Sequence, residues 1–467
     1  MSRRTEGERA PSDAFTAAEG RVPTENVVLP PLPANASGSA RSDTDTAVPG
    51  VEAGATDALP RVSRWTIALL LAATFGGGMA MIVPMAYSLT LRLDQLAPGR
   101  ADILGYILGI GSAATLVLAP LTGVLSDRTR SRWGRRRPFT VLGMVIGLSA
   151  VPLMALAPDL IVLTLGWVLS TVGWGTAAGS IGNWQADRLP ASQRGSVSGL
   201  TGLMMQIAPV IGIILVGPLG SQVLAVFILP AAIATVLVTI FVVFAHEPDS
   251  RGARHAHPLT VVGVLRSYGF RPRQVPDFAW TWAGRFVFFL GLTLTTSFSV
   301  FFVSQRLALP VAEVAPILAL TSGLSIVSAT VGAIGAGWLS DRTGRRKPLI
   351  LVGTVLFAAG CAVSAFAWGL VPVVVGMLIS SLGIAVFSAV GQALVLDVLP
   401  ERETQAGRYM AIIAFAQKLP GVIAPLAAPA LLALGGGAQN YTVLYLAASV
   451  LAVLGGAIIA NRVRGIR

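Results

Sequence analysis

Two stretches of this otherwise apolar chain carry charges whose types and spacing suit electrostatic work: GVLSDRTRSRWGRRRPF at 123–139 and GWLSDRTGRRKPL at 337–349. Each places one carboxylate, Asp127 or Asp341, ahead of a run of arginines. Carboxylates and guanidiniums form directional, often bidentate ion pairs. Bond-making chemistry has no comparable support. The three histidines, His246, His255 and His257, fall in one stretch without the four-ligand spacing of a structural zinc site. There is no phosphate-cradling glycine loop and no nucleophile–base set. The expectation is therefore no catalytic residue, no metal, no cofactor and no pump driven by ATP within the chain. Cys361 is the single cysteine, which excludes an intrachain disulfide. It reads as small apolar filler.

The elements that must position these charges are set by composition. The chain has 467 residues, 54% hydrophobic and 12% charged, against about 25% charged in soluble domains. Twelve apolar spans lie at about 65–90, 103–125, 139–156, 160–182, 196–215, 223–245, 278–303, 314–339, 349–368, 371–396, 409–433 and 441–460. Each approaches the roughly 20 residues that cross a bilayer as helix. The predicted fold is all-α and polytopic, with twelve transmembrane helices. Residues 1–62 differ: rich in Ala, Pro, Ser, Thr and Gly, they read as a disordered tail.

Of the 34 Lys and Arg residues, 29 fall on the side of the termini and three, Arg92, Arg100 and Arg306, on the other. The bias toward the cytosol predicts both termini cytosolic, in the inner or plasma membrane. Arginines at the ends of apolar runs suit lipid headgroups rather than nucleic acid, despite a net charge of +12. The chain also repeats. LSDRT recurs at 125 and 339, DRLP at 187 answers DVLP at 397, and QIAPVI at 206 answers QKLPGVI at 417. The repeat predicts two parallel six-helix halves, 63–245 and 276–467, joined by a cytosolic linker, 246–275, with a substrate site between the halves.

The second charged stretch resembles the signature of the major facilitator superfamily, G-x-x-[SA]-D-R-x-G-R-R, through Gly337, Asp341, Arg342, Gly344, Arg345 and Arg346. The first copy, with Gly123, Asp127 and Arg128, is stretched to S-R-x-G-R-R-R-P-F. That form resembles the sucrose-transporter and glycoside–pentoside–hexuronide symporter branch. The resemblance covers about residues 63 to 462. It implies alternating access and a conformational latch made by Asp127, Arg128, Arg135, Arg136, Asp341, Arg342, Arg345 and Arg346, with Asp187, Glu247 and Asp397. By the family's plan, Asp127 faces the start of helix 11 near Gly407 and Asp341 the start of helix 5 near Gly195, where helix dipoles favour a carboxylate.

Polar residues inside spans mark candidate contacts for substrate. These are Asn183, Gln185 and Trp174 on helix 4, Gln206 on helix 5, Arg285 and Phe289 on helix 7, Gln392 on helix 10, and Gln417 and Lys418 on helix 11. Amides beside aromatic faces suit a sugar or glycoside. An efflux transporter of amphipathic compounds and a non-transporting receptor are the alternatives. Arg285 and Lys418 are expected to face a central cavity. Pro209 and Pro420 are expected to break helices 5 and 11 locally. GYILG at 105 and GTAAG at 175 read as small faces for close helix packing. No acid falls at the centre of a span, so the expectation is either facilitated, uncoupled transport or coupling of a proton or sodium ion through an acid at a helix end, Asp187 or Asp102. The transporter is read as a monomer.

Overall fold

The computed structural model describes residues 60–220, 222–252, 271–400, 406–434 and 439–464. The expected tail and most of the linker lie outside the described residues. The rest is helical, with no strand among the described residues. Twelve spans run in order: α1 Arg64–Leu96, α2 Asp102–Arg128, α3 Arg137–Ala155, α4 Leu160–Arg188, α5 Ala191–Val216 and α6 Val223–Phe244. There follow α7 Pro276–Ser297 with Ser299–Leu307, α8 Ala315–Thr343, α9 Arg346–Ala365, α10 Leu370–Asp397, α11 Ala406–Lys418 with Pro420–Leu432, and α12 Tyr441–Arg462.

Local chemistry sets the ends. Ser63 caps α1 at the amide of Thr66, Asp159 caps α4 at Ile161 and Val162, and Asn440 caps α12 at Val443. Pro276 opens α7, where a missing N–H costs nothing. Gly344, with φ of 63°, ends α8 in the left-handed region that glycine tolerates.

The packing has an internal two-fold pattern. In the first half α1 packs on α5 and α6, α2 on α4, and α3 on α4 and α6. In the second half α7 packs on α11 and α12, α8 on α10, and α9 on α10 and α12. The halves meet through α2 with α11 and α5 with α8. Matching glycines allow the tight α3–α4 and α9–α10 contacts. Gly143, Gly166 and Gly173 have counterparts at Gly353, Gly376 and Gly383, and a Cβ at any of the six would meet a neighbour within 2.7 Å.

The breaks follow the expected prolines only in part. α5 runs through Pro209 without interruption. α11 does break, at Leu419 just before Pro420. α1 loosens into a π-helical turn at Pro84–Ser88, and α7 bends by 53° at Phe298. No proline stands at that bend. Thr293, Thr295, Thr296 and Ser299 hydrogen-bond back onto carbonyls of the preceding turn, a habit that bends helices.

Candidate functional site

On the face carrying Arg64 and Arg462, called here the tail side, the first charged stretch folds onto its own half. Glu247, just after α6, accepts backbone N–H groups from Arg135, Arg136 and Arg137 at 2.9, 2.8 and 3.0 Å. It thereby caps α3, where an anion is favoured. Gly134, with φ of 85°, must be glycine, because a Cβ would come within 2.2 Å of the Glu247 carboxyl carbon. The cap orients Arg136, which is 5% exposed. Arg136 binds Asp127 at 2.6 Å, Asp187 at 2.8 Å and Ser126 Oγ at 3.1 Å. Arg135 adds a second bond to Asp187 at 2.9 Å. Burial pulls the Arg136 guanidinium down from its ordinary value, and the two aspartates outweigh this and hold it above.

The second stretch is sparser. Arg346 pairs with Asp397, as its counterpart Arg136 pairs with Asp187. Asp341 and Arg345 are exposed, and Arg342 lies over the Trp338 ring at 5.2 Å. The sequence-predicted cluster of Asp127, Arg135, Arg136, Asp187 and Glu247 is thus assembled. Each pair resolved for Asp127, Asp187 and Asp397 lies within a single half, the first two in the first half and the last in the second.

The two halves enclose a cavity of about 600 Å³. It is closed away from the tail. There a Cβ on Gly105 of α2 would sit 2.2 Å from the Pro425 carbonyl oxygen of α11, and one on Gly109 would sit 2.5 Å from Leu426. Tyr87 donates to the Ala312 carbonyl at 3.0 Å, and Gln439 donates to the Gly99 carbonyl at 2.8 Å, both across the halves. Toward the tail, a Cβ on Gly123 of α2, on Gly195, Gly199 or Gly202 of α5, or on Gly335 or Gly337 of α8 would meet nothing within 4 Å. The structure is therefore the tail-open state.

The lining is unevenly polar. From the first half come Ile82, Met85, Leu108, Pro209, Val210 and Ile213, with only Ser112 and Gln206 polar. The second half supplies hydroxyls: Thr293, Thr296 and Ser299 from α7, Thr321, Ser322 and Ser325 from α8, Ser364 from α9, Ser380 and Ser381 from α10, and Tyr445 from α12. Several of these donate to helix carbonyls, Thr293 to Phe289 at 2.8 Å and Ser381 to Ser325 at 3.0 Å among them. Their oxygens are left to accept. No charged side chain lines the cavity among the described residues.

Of the residues singled out by sequence, Gln206 lines this cavity. Gln417 and Lys418 are exposed one turn tailward of Gly421, a lining residue, on the same face of α11. Gln185 lines a smaller pocket in the first half, and Asn183 and Gln392 lie outside both linings. Trp174 is 1% exposed, packs against Gly147 and lies outside both linings. Arg285 is also 1% exposed. It sits over Gly391 and 5.6 Å from the Phe289 ring, not in the cavity.

The Major Facilitator Superfamily profile matches residues 65–335 and 322–464, nearly the whole helical region. The chain belongs to the Major Facilitator Superfamily. Its relatives within the superfamily are remote. It is 27% identical over 189 residues to a general alpha-glucoside permease of Schizosaccharomyces pombe, covering 35% of this chain and 34% of that protein. It is 35% identical over 74 residues to the galactose-proton symporter of Escherichia coli strain K12, 16% of each chain. The chain thus matches only about a third or less of the length of such curated relatives. The crystal structure of a point mutant of the nucleoside transporter NupG superposes with a TM-score of 0.70 at 14% identity, over 85% of this chain and 99% of that one. That likeness fixes the superfamily fold.

The hydroxyls of the second half are what sequence reading missed in this superfamily member. The signal was present as LTLTTSFS at 292–299 and LTSGLS at 320–325. Serine and threonine inside helices read as packing residues because they bond to their own backbone.

Proposed function

We propose that this protein is a secondary transporter that moves a small, uncharged, polyhydroxylated solute, a sugar or glycoside, by alternating access. The observation that carries this is the cavity between the halves, whose polar lining among the described residues is hydroxyls and one glutamine, with no charged side chain. Accepting oxygens match a solute rich in O–H donors, and the apolar wall matches the C–H faces of a sugar ring. The names of the permease and symporter relatives agree with this class. The tail side is the cytosol, by the excess of Lys and Arg there, and the protein resides in the cell membrane.

In this reading the charged stretches order the tail-side helix ends. Arg136 with Asp127 and Asp187, and Arg346 with Asp397, hold each half together while the cytosolic face is open. Closing that face brings the exposed Asp341 and the arginines of both stretches toward the opposite half. Ion coupling, if present, draws on acids outside the cavity lining. Asp102 is paired with Arg100 at 2.8 Å at the outer end of α2, and Asp187 is held by Arg135 and Arg136. The test is uptake of radiolabelled sugars and glycosides into proteoliposomes, with and without an imposed proton or sodium gradient. Saturable flux of at least one uncharged sugar, lost on Gln206→Ala with Ser322→Ala, is expected. Flux of charged or purely apolar compounds alone would refute the reading.

A further inference from the structure

A second pocket of about 330 Å³ lies wholly within the first half, between α1, α4 and α5. It is bounded by Thr74 and Gly77 of α1, Gly182 and Gln185 of α4, and Ser198 and Gly202 of α5, among others. It sits directly tailward of the main cavity. Along α5 it takes residues up to Met205, where the main cavity begins with Gln206. Along α1 it takes residues up to Gly77, where the main cavity begins at Ile82. The pocket thus lies on the tail side of the main cavity, the side toward which that cavity opens.

Its chemistry repeats that of the main cavity on a smaller scale. Thr74 donates to the Leu70 carbonyl at 2.8 Å, which leaves its oxygen to accept. Gln185 donates to Ser198 Oγ at 3.0 Å, which leaves its own carbonyl oxygen to accept. No charged side chain lines the pocket among the described residues. The floor is kept open by Gly77, Gly182 and Gly202, where a Cβ would meet nothing within 4 Å.

The internal repeat supplies an independent control. If the pocket followed from helix geometry alone, the other half would hold its twin. The residue matching Gln185, by the register that matches Asp187 with Asp397, is Val395, 0% exposed. The residue matching Gly202, by the register that matches Pro209 with Pro420, is Ile413, 4% exposed. Both belong to one apolar cluster with Phe278, Tyr409 and Ile412, and Trp282 donates to the Ile412 carbonyl at 3.0 Å across that place. The second half is filled where the first half is open.

We propose that the pocket is a second binding site, an exit subsite for a small uncharged molecule bearing O–H donors. It takes the same solute as the main cavity and so rests on the solute class inferred above. Equilibrium binding of radiolabelled sucrose to the full chain in lipid nanodiscs tests it. Two molecules bind per chain in the wild type. Gln185→Val, which installs the residue of the other half, and Gly202→Leu, which fills the open floor, each reduce the count to one. Gln206→Ala weakens the remaining site at least fivefold. A wild-type count of one that neither pocket variant alters overturns the subsite and leaves the transport reading standing. So does a loss of transport in Gly202→Leu with the count unchanged, which marks the pocket as a packing surface for closure. Absence of saturable binding by sucrose and glucose alike overturns both.

Discussion

Arg136 gathers two carboxylates, a hydroxyl and a capped helix end around one guanidinium. Removing one partner from a buried ionic network costs roughly 3 kcal/mol. Arg136→Gln is expected to lower the midpoint of thermal unfolding in detergent measurably, and Arg346→Gln by distinctly less, since Arg346 is more exposed and its resolved ion pair is with Asp397 alone. Equal shifts would contradict the assignment. In the cavity, Gln206→Ala removes about 1 kcal/mol of hydrogen bonding, roughly a fivefold loss of affinity, read by equilibrium binding. The ionic residues were legible in sequence because opposite charges at helix ends have few partners to choose from. The solute residues were mostly not. Trp174 looks like a stacking platform in sequence, yet Gly147 opposite it leaves a slot that the indole fills. Arg285 looks like a cavity charge, yet Gly391 and Phe289 accommodate it in the helix bundle.

At the level of elements, the length of the apolar spans gave the helices, while of their interruptions only the one at Pro420 was announced. A proline inside a long span removes one hydrogen bond that neighbours can compensate, so α5 stays whole at Pro209. The bend at Phe298 comes from several hydroxyls acting together, which no single residue announces. The α2–α11 contact gives a test of state. Gly105→Val would drive its side chain into the Pro425 carbonyl. It is expected to shift the population away from the tail-open state. Labelling of a cysteine placed at Ala312, in a Cys361→Ser background, should then rise severalfold with a membrane-impermeant thiol reagent added on the outer side. Gly123→Val, which meets open space, should leave that labelling unchanged.

For the whole molecule, the two-fold repeat was visible as three short matches and returns as matched glycines, matched ion pairs and matched helix contacts. What the repeat could not show is where the halves differ, because packing of a single side chain decides whether a space is open. The absence of a carboxylate among the described residues lining the main cavity has a global consequence. Solute affinity measured at equilibrium should stay within about twofold between pH 5 and pH 8, since carboxylates titrating there would have to sit near the solute. A steep fall across that range would place a titrating group at the site.

The halves touch where Gly105 meets Pro425 and where Tyr87 meets Ala312, at the end of the molecule away from the tail. Mechanically this is a fulcrum, and each half is a lever. From Gly105 to the tail end of α2 at Arg128 the helix rises roughly 35 Å. A rotation of about 5° at the fulcrum therefore displaces that end by about 3 Å, the width of a water molecule. Because each resolved pair of Asp127, Asp187 and Asp397 lies within a single lever, swinging the levers breaks none of them. The passage can widen with a small angle at one end and no loss of those bonds at the other.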